Sequence, residues 1–337
     1  MSNKGLVPPG LTYLADNIMS KHNIMGASKA AGAKWAKGLG LPKQSETIFF
    51  AGCGYQYASD LESLMSLIRK IDKSAISTEM TMSLASFQKK LGIDASGIYR
   101  KLVSRGSDED ARPLRDAVKV LKALGIEPGY LAEEEPCCGG LLHYIGLSKE
   151  FAQNARAVDD KLKSNKVKQI ISIIPSCTHT LRTLIPNAIG ANKVEVKHFT
   201  EVVAENISSL DLRFPKEVKV TYHDPCQLVR YLGIVDEPRR ILSAIKGIQL
   251  VEPEWTTKEW ATCCGGGGGF EAVFPEMSEI LATNRAKELA DTGAKIIVTQ
   301  CPGCIMQLKV GLKELKANND VEVLDLAQIV AMSMGGK

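Results

Sequence analysis

Two stretches of this sequence set adjacent cysteines ahead of glycines, and each is followed at a similar distance by a further cysteine turn. The first reads PCCGG, with Cys137 and Cys138, then 38 residues, then Cys177 in PSCTHT. The second reads CCGGGGG, with Cys263 and Cys264, then 36 residues, then Cys301 and Cys304 in QCPGC. A lone cysteine precedes each: Cys53 in FFAGCGYQ and Cys226 in YHDPCQLV. All 9 cysteines fall into this scheme, which leaves none for casual core packing. Thiolates select iron–sulfur clusters, zinc or copper(I), so the chain reads first as a metal or redox protein.

The second copy offers five thiolates: Cys226, Cys263, Cys264, Cys301 and Cys304. A tetrahedral zinc site and a cubane cluster each take four ligands, so five in a C–CC–CxxC pattern suggest a larger or unusual soft-metal centre. Gly265–Gly269 lets the backbone come close to a bulky inorganic core and aim N–H groups at it. Phe270 stands where the dinucleotide fingerprint needs its last glycine, and the run follows cysteines rather than a strand, which rejects nicotinamide binding. Cys301 and Cys304 alone also fit a dithiol redox pair. That reading explains two cysteines where metal ligation explains five; zinc remains open as the metal.

The first copy offers Cys53, Cys137, Cys138 and Cys177, with Thr180 where the fifth cysteine would stand. Four thiolates suit a structural zinc, an ordinary cluster, or a centre with one iron left open or bound by His179. A histidine opening a helix is more often a supporting or capping group. His223 and Asp224, just ahead of Cys226, fit either a capped strand end or a supporting role at the metal. His143 and Tyr144 could line a substrate pocket. No residue stands out as a catalytic acid or base; His179, His143 and His223 are the candidates.

Short Ile- and Val-rich runs must position these turns. ETIFFAG, KQIISIIP, KVEVKHF, KVTYHD, AKIIVTQ and VEVLDL read as strands, with helical periodicity between them. Alternation of this kind predicts an α/β fold: two domains related by a pseudo-twofold, each a parallel sheet flanked by helices, with the metal sites at the strand C-terminal ends. The expected divisions are a basic arm (1–45), a first domain (46–212) and a second (213–337). Cys53 and Cys137 are separated by 83 residues but Cys226 and Cys263 by 36, so the first domain carries an insert at about 60–110, read as helices with an exposed turn near Ser107–Asp110. The arm has six lysines against the single acid Asp16 up to residue 43, and reads as a partly ordered tail anchored at most by Trp35, Leu39 and Leu41.

At 337 residues there is room for two ordinary cores. No stretch free of Asp, Glu, Lys and Arg exceeds 13 residues, against about 18–20 for a spanning helix, so no direct membrane span is expected. The N-terminus has no continuous apolar segment of a secretory signal, and a reducing cytoplasm is the expected compartment, with any membrane association through partners. A formal charge of +4 without a basic stripe argues against nucleic acid.

The doubled C…CCG…CxxC pattern resembles the cysteine-rich CCG-domain family over about residues 46–332. That family includes the B and D subunits of heterodisulfide reductase and iron–sulfur subunits of glycerol-3-phosphate, glycolate and lactate oxidation. The resemblance implies that Cys226, Cys263, Cys264, Cys301 and Cys304 hold a non-cubane 4Fe-4S cluster of the kind that splits a disulfide in the reductase. It implies a second 4Fe-4S cluster or zinc on Cys53, Cys137, Cys138 and Cys177, where Thr180 departs from the pattern. The arm's NIMG…KWAKGLGL resembles the linker after a ferredoxin domain in longer members, and no ferredoxin cysteines accompany it. A separate ferredoxin-like iron–sulfur subunit is therefore the expected partner, with a flavoprotein beside it and the basic arm steering the acidic carrier. The expected function is an iron–sulfur oxidoreductase subunit of a heterodisulfide-reductase-like complex acting on a thiol/disulfide-type substrate. The alternative is a non-catalytic electron-transfer subunit of a flavoprotein dehydrogenase, hydroxy-acid or quinone-linked.

Overall fold

The computed structural model describes residues 6–72, 111–190 and 194–335. β-branched and aromatic runs build two parallel sheets. β1 (Thr47–Phe50), β2 (Gln169–Ser172) and β3 (Glu195–His198) pair in the order β1-β2-β3. β4 (Arg213–Tyr222), β5 (Lys246–Leu250), β6 (Ile296–Thr299) and β7 (Glu322–Asp325) pair in the order β5-β4-β6-β7. Central strands are buried on both faces: every residue of β6 is buried, as are Ile170, Ile171 and Ser172 of β2. Helices cover the sheets, as parallel strands require. The fold is α/β with the expected strands in place. β5 is an addition, an edge strand whose KGIQL carries too few apolar residues to announce itself.

Both sheets end alike. β3 runs into the helix Phe199–Asn206 through a capping box of His198 and Glu201, and β7 runs into Leu326–Ser333 through one of Asp325 and Gln328. These two helices cross over. Leu326–Ser333 packs on Arg112–Ala123 of the first half, and Phe199–Asn206 packs on Glu237–Ser243 of the second. Two buried hydrogen bonds reinforce the exchange, Tyr55 to Asp325 and Thr200 to Gln300. One hydrophobic core therefore runs through both halves, from Phe49 and Val118 to Val220 and Leu324.

The arm is a correction. Residues 9–21 form a helix whose Leu11, Leu14, Ala15 and Ile18 are buried, and Trp35 is 5 % exposed. Leu11 and Leu14 share a cluster with Met65, Ala272 and Met306, and Leu11 lies against Gly269. The segment has no core of its own, but it completes the core of its neighbours. Of the insert, the helix Ala58–Asp72 is described; the turn at Ser107–Asp110 lies outside the described residues.

Candidate metal centres

Cys53, Cys177, Cys226, Cys301 and Cys304 sit where a strand hands over to a turn or helix, whereas the two CC pairs lie in loops. In the first half, Cys53 follows β1 in the helix Gly52–Gln56, Cys137 and Cys138 precede Gly140–Tyr144, and Cys177 lies in Pro175–His179 beyond β2. All four are free thiols and all are buried. Cys138 Sγ and Cys177 Sγ lie 3.4 Å apart. Hydrogen bonds from Cys137 and Cys177 hold the Cys138 thiol well below its ordinary range. The same contacts push Cys137 and Cys177 up. Thr180 bonds Ser176 O at 2.7 Å and also neighbours the Cys138 sulfur and the Tyr144 hydroxyl. A threonine hydroxyl therefore occupies the region where the second copy has its fifth sulfur.

In the second half, Cys226 follows β4, Cys263 and Cys264 open the glycine loop, and Cys301 and Cys304 open the helix Pro302–Glu314 beyond β6. Cys264 Sγ and Cys304 Sγ lie 3.2 Å apart, and the Gly265 N–H donates to Cys263 Sγ at 3.3 Å. Gly265 adopts φ +82°, and a Cβ there would stand 2.3 Å from Ser278 O, so only glycine lets the loop lie against the helix Pro275–Ala290. Hydrogen bonds from Cys263 and Cys304, with His223 adding to them, hold Cys264 low. Burial, then the charges of Cys301 and Cys264, pushes Cys226 up to about 11. Clustered thiols that compete for protons in this way form a donor set that a soft cation would discharge.

The two sites differ in access. The first-half thiols are closed off, whereas Cys263 is exposed and Cys226 and Cys301 are half-buried. They also face one another. Gly54, next to Cys53, meets Pro302, next to Cys301, so closely that a Cβ on Gly54 would stand 2.7 Å from the proline ring. Tyr144 donates to Gln227 Oε1 at 3.2 Å, one residue past Cys226. π-helical turns follow in both halves, at Thr180–Leu184 and Gln227–Tyr231, a distortion that recurs at functional sites. A cavity of about 530 Å³ lies along Ala58–Asp72 and Pro302–Glu314, reaching Gly54, Tyr55 and Pro302 at its inner end but none of the sulfurs.

The three histidines part company. His223 is 1 % exposed, and its ring nitrogen lies within 4.8 Å of the Cys264 and Cys304 sulfurs. His179 is buried, with Nδ1 3.4 Å from the Tyr144 hydroxyl and its ring 4.9 Å from that of Tyr231; burial lowers its pKa. His143 is exposed and packs edge-on to Phe151. Asp224 is committed elsewhere: it accepts both guanidinium nitrogens of Arg239 and the Lys258 N–H, pinning the loop ahead of Cys263.

Sequence reasoning passed over two residues. Glu135 accepts from the N–H groups of Ala51 and Gly52, each at 2.9 Å, and from Gln56 at 2.7 Å, and so fixes the turn that presents Cys53. Burial pushes its pKa up to about 8, with the charge of Cys138 adding to the rise. Its only signal was an acid run placed directly before PCC. Arg285, fully buried, donates to His223 Nδ1 at 3.1 Å. Nothing in its helical context distinguished it from a solvated arginine.

A family described as the cysteine-rich domain CCG matches residues 103–182 and 220–309. The chain is 35% identical over 227 residues to the D subunit of the dihydromethanophenazine:CoB–CoM heterodisulfide reductase of Methanosarcina acetivorans, covering 64% of this chain and 54% of that protein. It is 33% identical over 226 residues to the EtfAB:quinone oxidoreductase of Syntrophomonas wolfei, covering 64% of this chain and 31% of that one. The chain thus spans about half the length, or less, of the curated relatives it matches. A hypothetical protein from Helicobacter pylori shares the fold at TM-score 0.50 and 17% identity, over 67% of this chain and 46% of that one.

Proposed function

This chain belongs to the CCG cysteine-rich domain family, and on that premise we propose that it is the iron–sulfur oxidoreductase subunit of a heterodisulfide-reductase-like complex, acting on a thiol/disulfide-type substrate at the second-half site. One observation carries the reading: five cysteines gather there, and Cys263 opens to solvent while the four thiols of the first half are closed off. Cys226, Cys263, Cys264, Cys301 and Cys304 would hold a non-cubane 4Fe-4S cluster. When bound, such a cluster supplies single electrons and iron with an affinity for sulfur, which suits the cleavage of a disulfide in one-electron steps. The chain's own part is to present these thiolates, to aim the Gly265 N–H at Cys263, and to leave one side open for a small sulfur compound. Cys53, Cys137, Cys138 and Cys177 would hold a second 4Fe-4S cluster or a zinc, with Glu135 fixing the Cys53 turn.

All nine cysteines are committed to these two sites. Electrons then arrive from an iron–sulfur group outside these residues, a ferredoxin-like subunit with a flavoprotein behind it. No helix among the described residues is long and apolar enough to cross a membrane, so membrane association would run through such partners. The relative named for EtfAB and a quinone, together with Thr180 in the place of a fifth first-half thiol, favours a second reading. In it the chain passes electrons between a flavoprotein dehydrogenase and a quinone-linked partner without touching a disulfide.

The discriminating experiment follows oxidation of reduced viologen by the anaerobically purified protein as small disulfides are added. Disulfide-dependent turnover that Cys263→Ser abolishes supports the first reading. An iron-loaded protein that passes electrons to a quinone analogue but never to a disulfide supports the second.

A further inference from the structure

Arg285 and His223 stand outside the thiol set, yet both are buried behind it, at 0 % and 1 % exposure. Arg285 Nε donates to His223 Nδ1 at 3.1 Å. A guanidinium has donors only and keeps its charge, so the nitrogen facing it must offer a lone pair. The proton of the neutral imidazole then resides on Nε2. The ring reaches within 4.8 Å of the Cys264 and Cys304 sulfurs, and the nitrogen turned away from Arg285 is a donor. A metal ligand would need a lone pair at that atom. We propose that Arg285 fixes His223 as a hydrogen-bond donor to the Cys264 and Cys304 sulfurs, not as a metal ligand, and that this donor raises the reduction potential of the second-half centre.

The anchoring of Arg285 fits that role. Nη1 donates to Thr256 O at 3.0 Å, to Thr256 Oγ1 at 3.1 Å and to Glu288 Oε2 at 2.8 Å; Glu288 in turn accepts from Thr262, the neighbour of Cys263, at 2.6 Å. The guanidinium is therefore held on one side by the loop that carries the CC pair. Its Nη2 is buried and has no hydrogen-bond partner among the described residues. An unpaired buried cationic donor is costly, and negative charge on the thiolate set that its partner His223 reaches would reduce that cost. The other half supplies an internal contrast. Three residues ahead of Cys53 stands Phe50 rather than histidine, so the first-half site lacks this donor.

Hydrogen bonds to cluster sulfurs stabilise the more negative, reduced form. The inference rests on the proposed cluster at this site, and its test separates the two. Midpoint potentials are measured by EPR-monitored titration of the iron-loaded protein and of His223→Phe, Arg285→Met and Arg285→Lys. His223→Phe should keep its iron and shift the one-electron reduction equilibrium at least tenfold toward the oxidised form, about 59 mV. Arg285→Met should shift it the same way and Arg285→Lys should restore part of it. In wild type carrying 15N-histidine, pulsed EPR should show only the weak nitrogen coupling of a hydrogen-bonded ring. Strong coupling from a bonded nitrogen, loss of the second-half iron in His223→Phe, or an unmoved potential with full iron would each overturn the proposal. If Arg285→Met does not fold, His223→Phe and the wild-type coupling still decide it. Wild-type protein without iron would instead sink the functional reading.

Discussion

The hydroxyl of Tyr55, two residues past Cys53 in the first half, donates to the carboxylate of Asp325, which caps the last helix of the second half. Both groups are buried, and burial pushes the Asp325 carboxyl up to about 7 despite the Tyr55 bond, which pulls it down. The folded protein therefore holds this proton up to about pH 7, whereas the unfolded chain releases it near 3.8. Stability from this group falls as pH rises between those values and is flat above. Tyr55→Phe removes the donor and raises the carboxyl further. It should cost about 1.5–3 kcal/mol at pH 8 and clearly less at pH 6, read from anaerobic denaturation midpoints. Equal losses at both values would show that the carboxylate is not the partner that matters.

Glu135→Gln keeps the shape but replaces one carboxylate oxygen with an amide that cannot accept. One of the Ala51 and Gly52 N–H groups then loses its acceptor, at about 1–3 kcal/mol, and the Cys53 turn loosens. First-half metal should fall while second-half metal is retained, as measured by metal per chain. In wild type the Glu135 carboxyl titrates near pH 8, and the first-half metal affinity should change there; the variant should show no such step.

The arm contributes to stability. Trp35 donates to the Tyr130 hydroxyl at 2.9 Å, Gln56 donates to the same oxygen at 3.1 Å, and Gln56 also holds Glu135. Trp35→Ala should cost about 3–5 kcal/mol and, through this chain of bonds, speed the loss of first-half metal. Removing residues 1–40 should also uncover Met65, Ala272 and Met306 beside the glycine loop and destabilise the second site. Metal retained at wild-type rates in the truncated protein would return the arm to the role of a detachable tail.

The cysteine turns, the two parallel sheets and the strands that lead into Cys53, Cys177, Cys226 and Cys301 could be read from sequence, because each rests on local chemistry: thiols at fixed spacing, and Ile/Val runs ending at Gly, Pro or Asp. β5 could not, since Lys246, Gly247 and Gln249 dilute its apolar content at the sheet edge. The packing of the arm was hidden because Leu11, Leu14 and Trp35 fill cavities made by residues far along the chain. Arg285 and Glu135 were hidden for a related reason. A buried charge is recognisable only from the partners the fold brings to it, here His223 and the N–H groups of Ala51 and Gly52.

Metal content separates the two first-half assignments. Anaerobic protein should carry about eight irons per chain if both sites hold 4Fe-4S clusters, or about four with one zinc if the first half holds zinc. Cys264→Ser should remove the second-half iron in either case, and with it most of the visible absorption if the first half holds zinc or about half of it if the first half holds a cluster. A first-half site that is empty and disulfide-bonded in anaerobic protein would contradict both assignments.

EPR of the anaerobically purified, oxidised protein, recorded before and after adding small thiols and disulfides, tests the central claim most directly. The account predicts a paramagnetic signal that appears or shifts with the sulfur compound, survives Cys53→Ser, and is lost in Cys264→Ser. A fully iron-loaded protein whose spectrum ignores every thiol and disulfide offered would contradict a sulfur substrate at the second-half site.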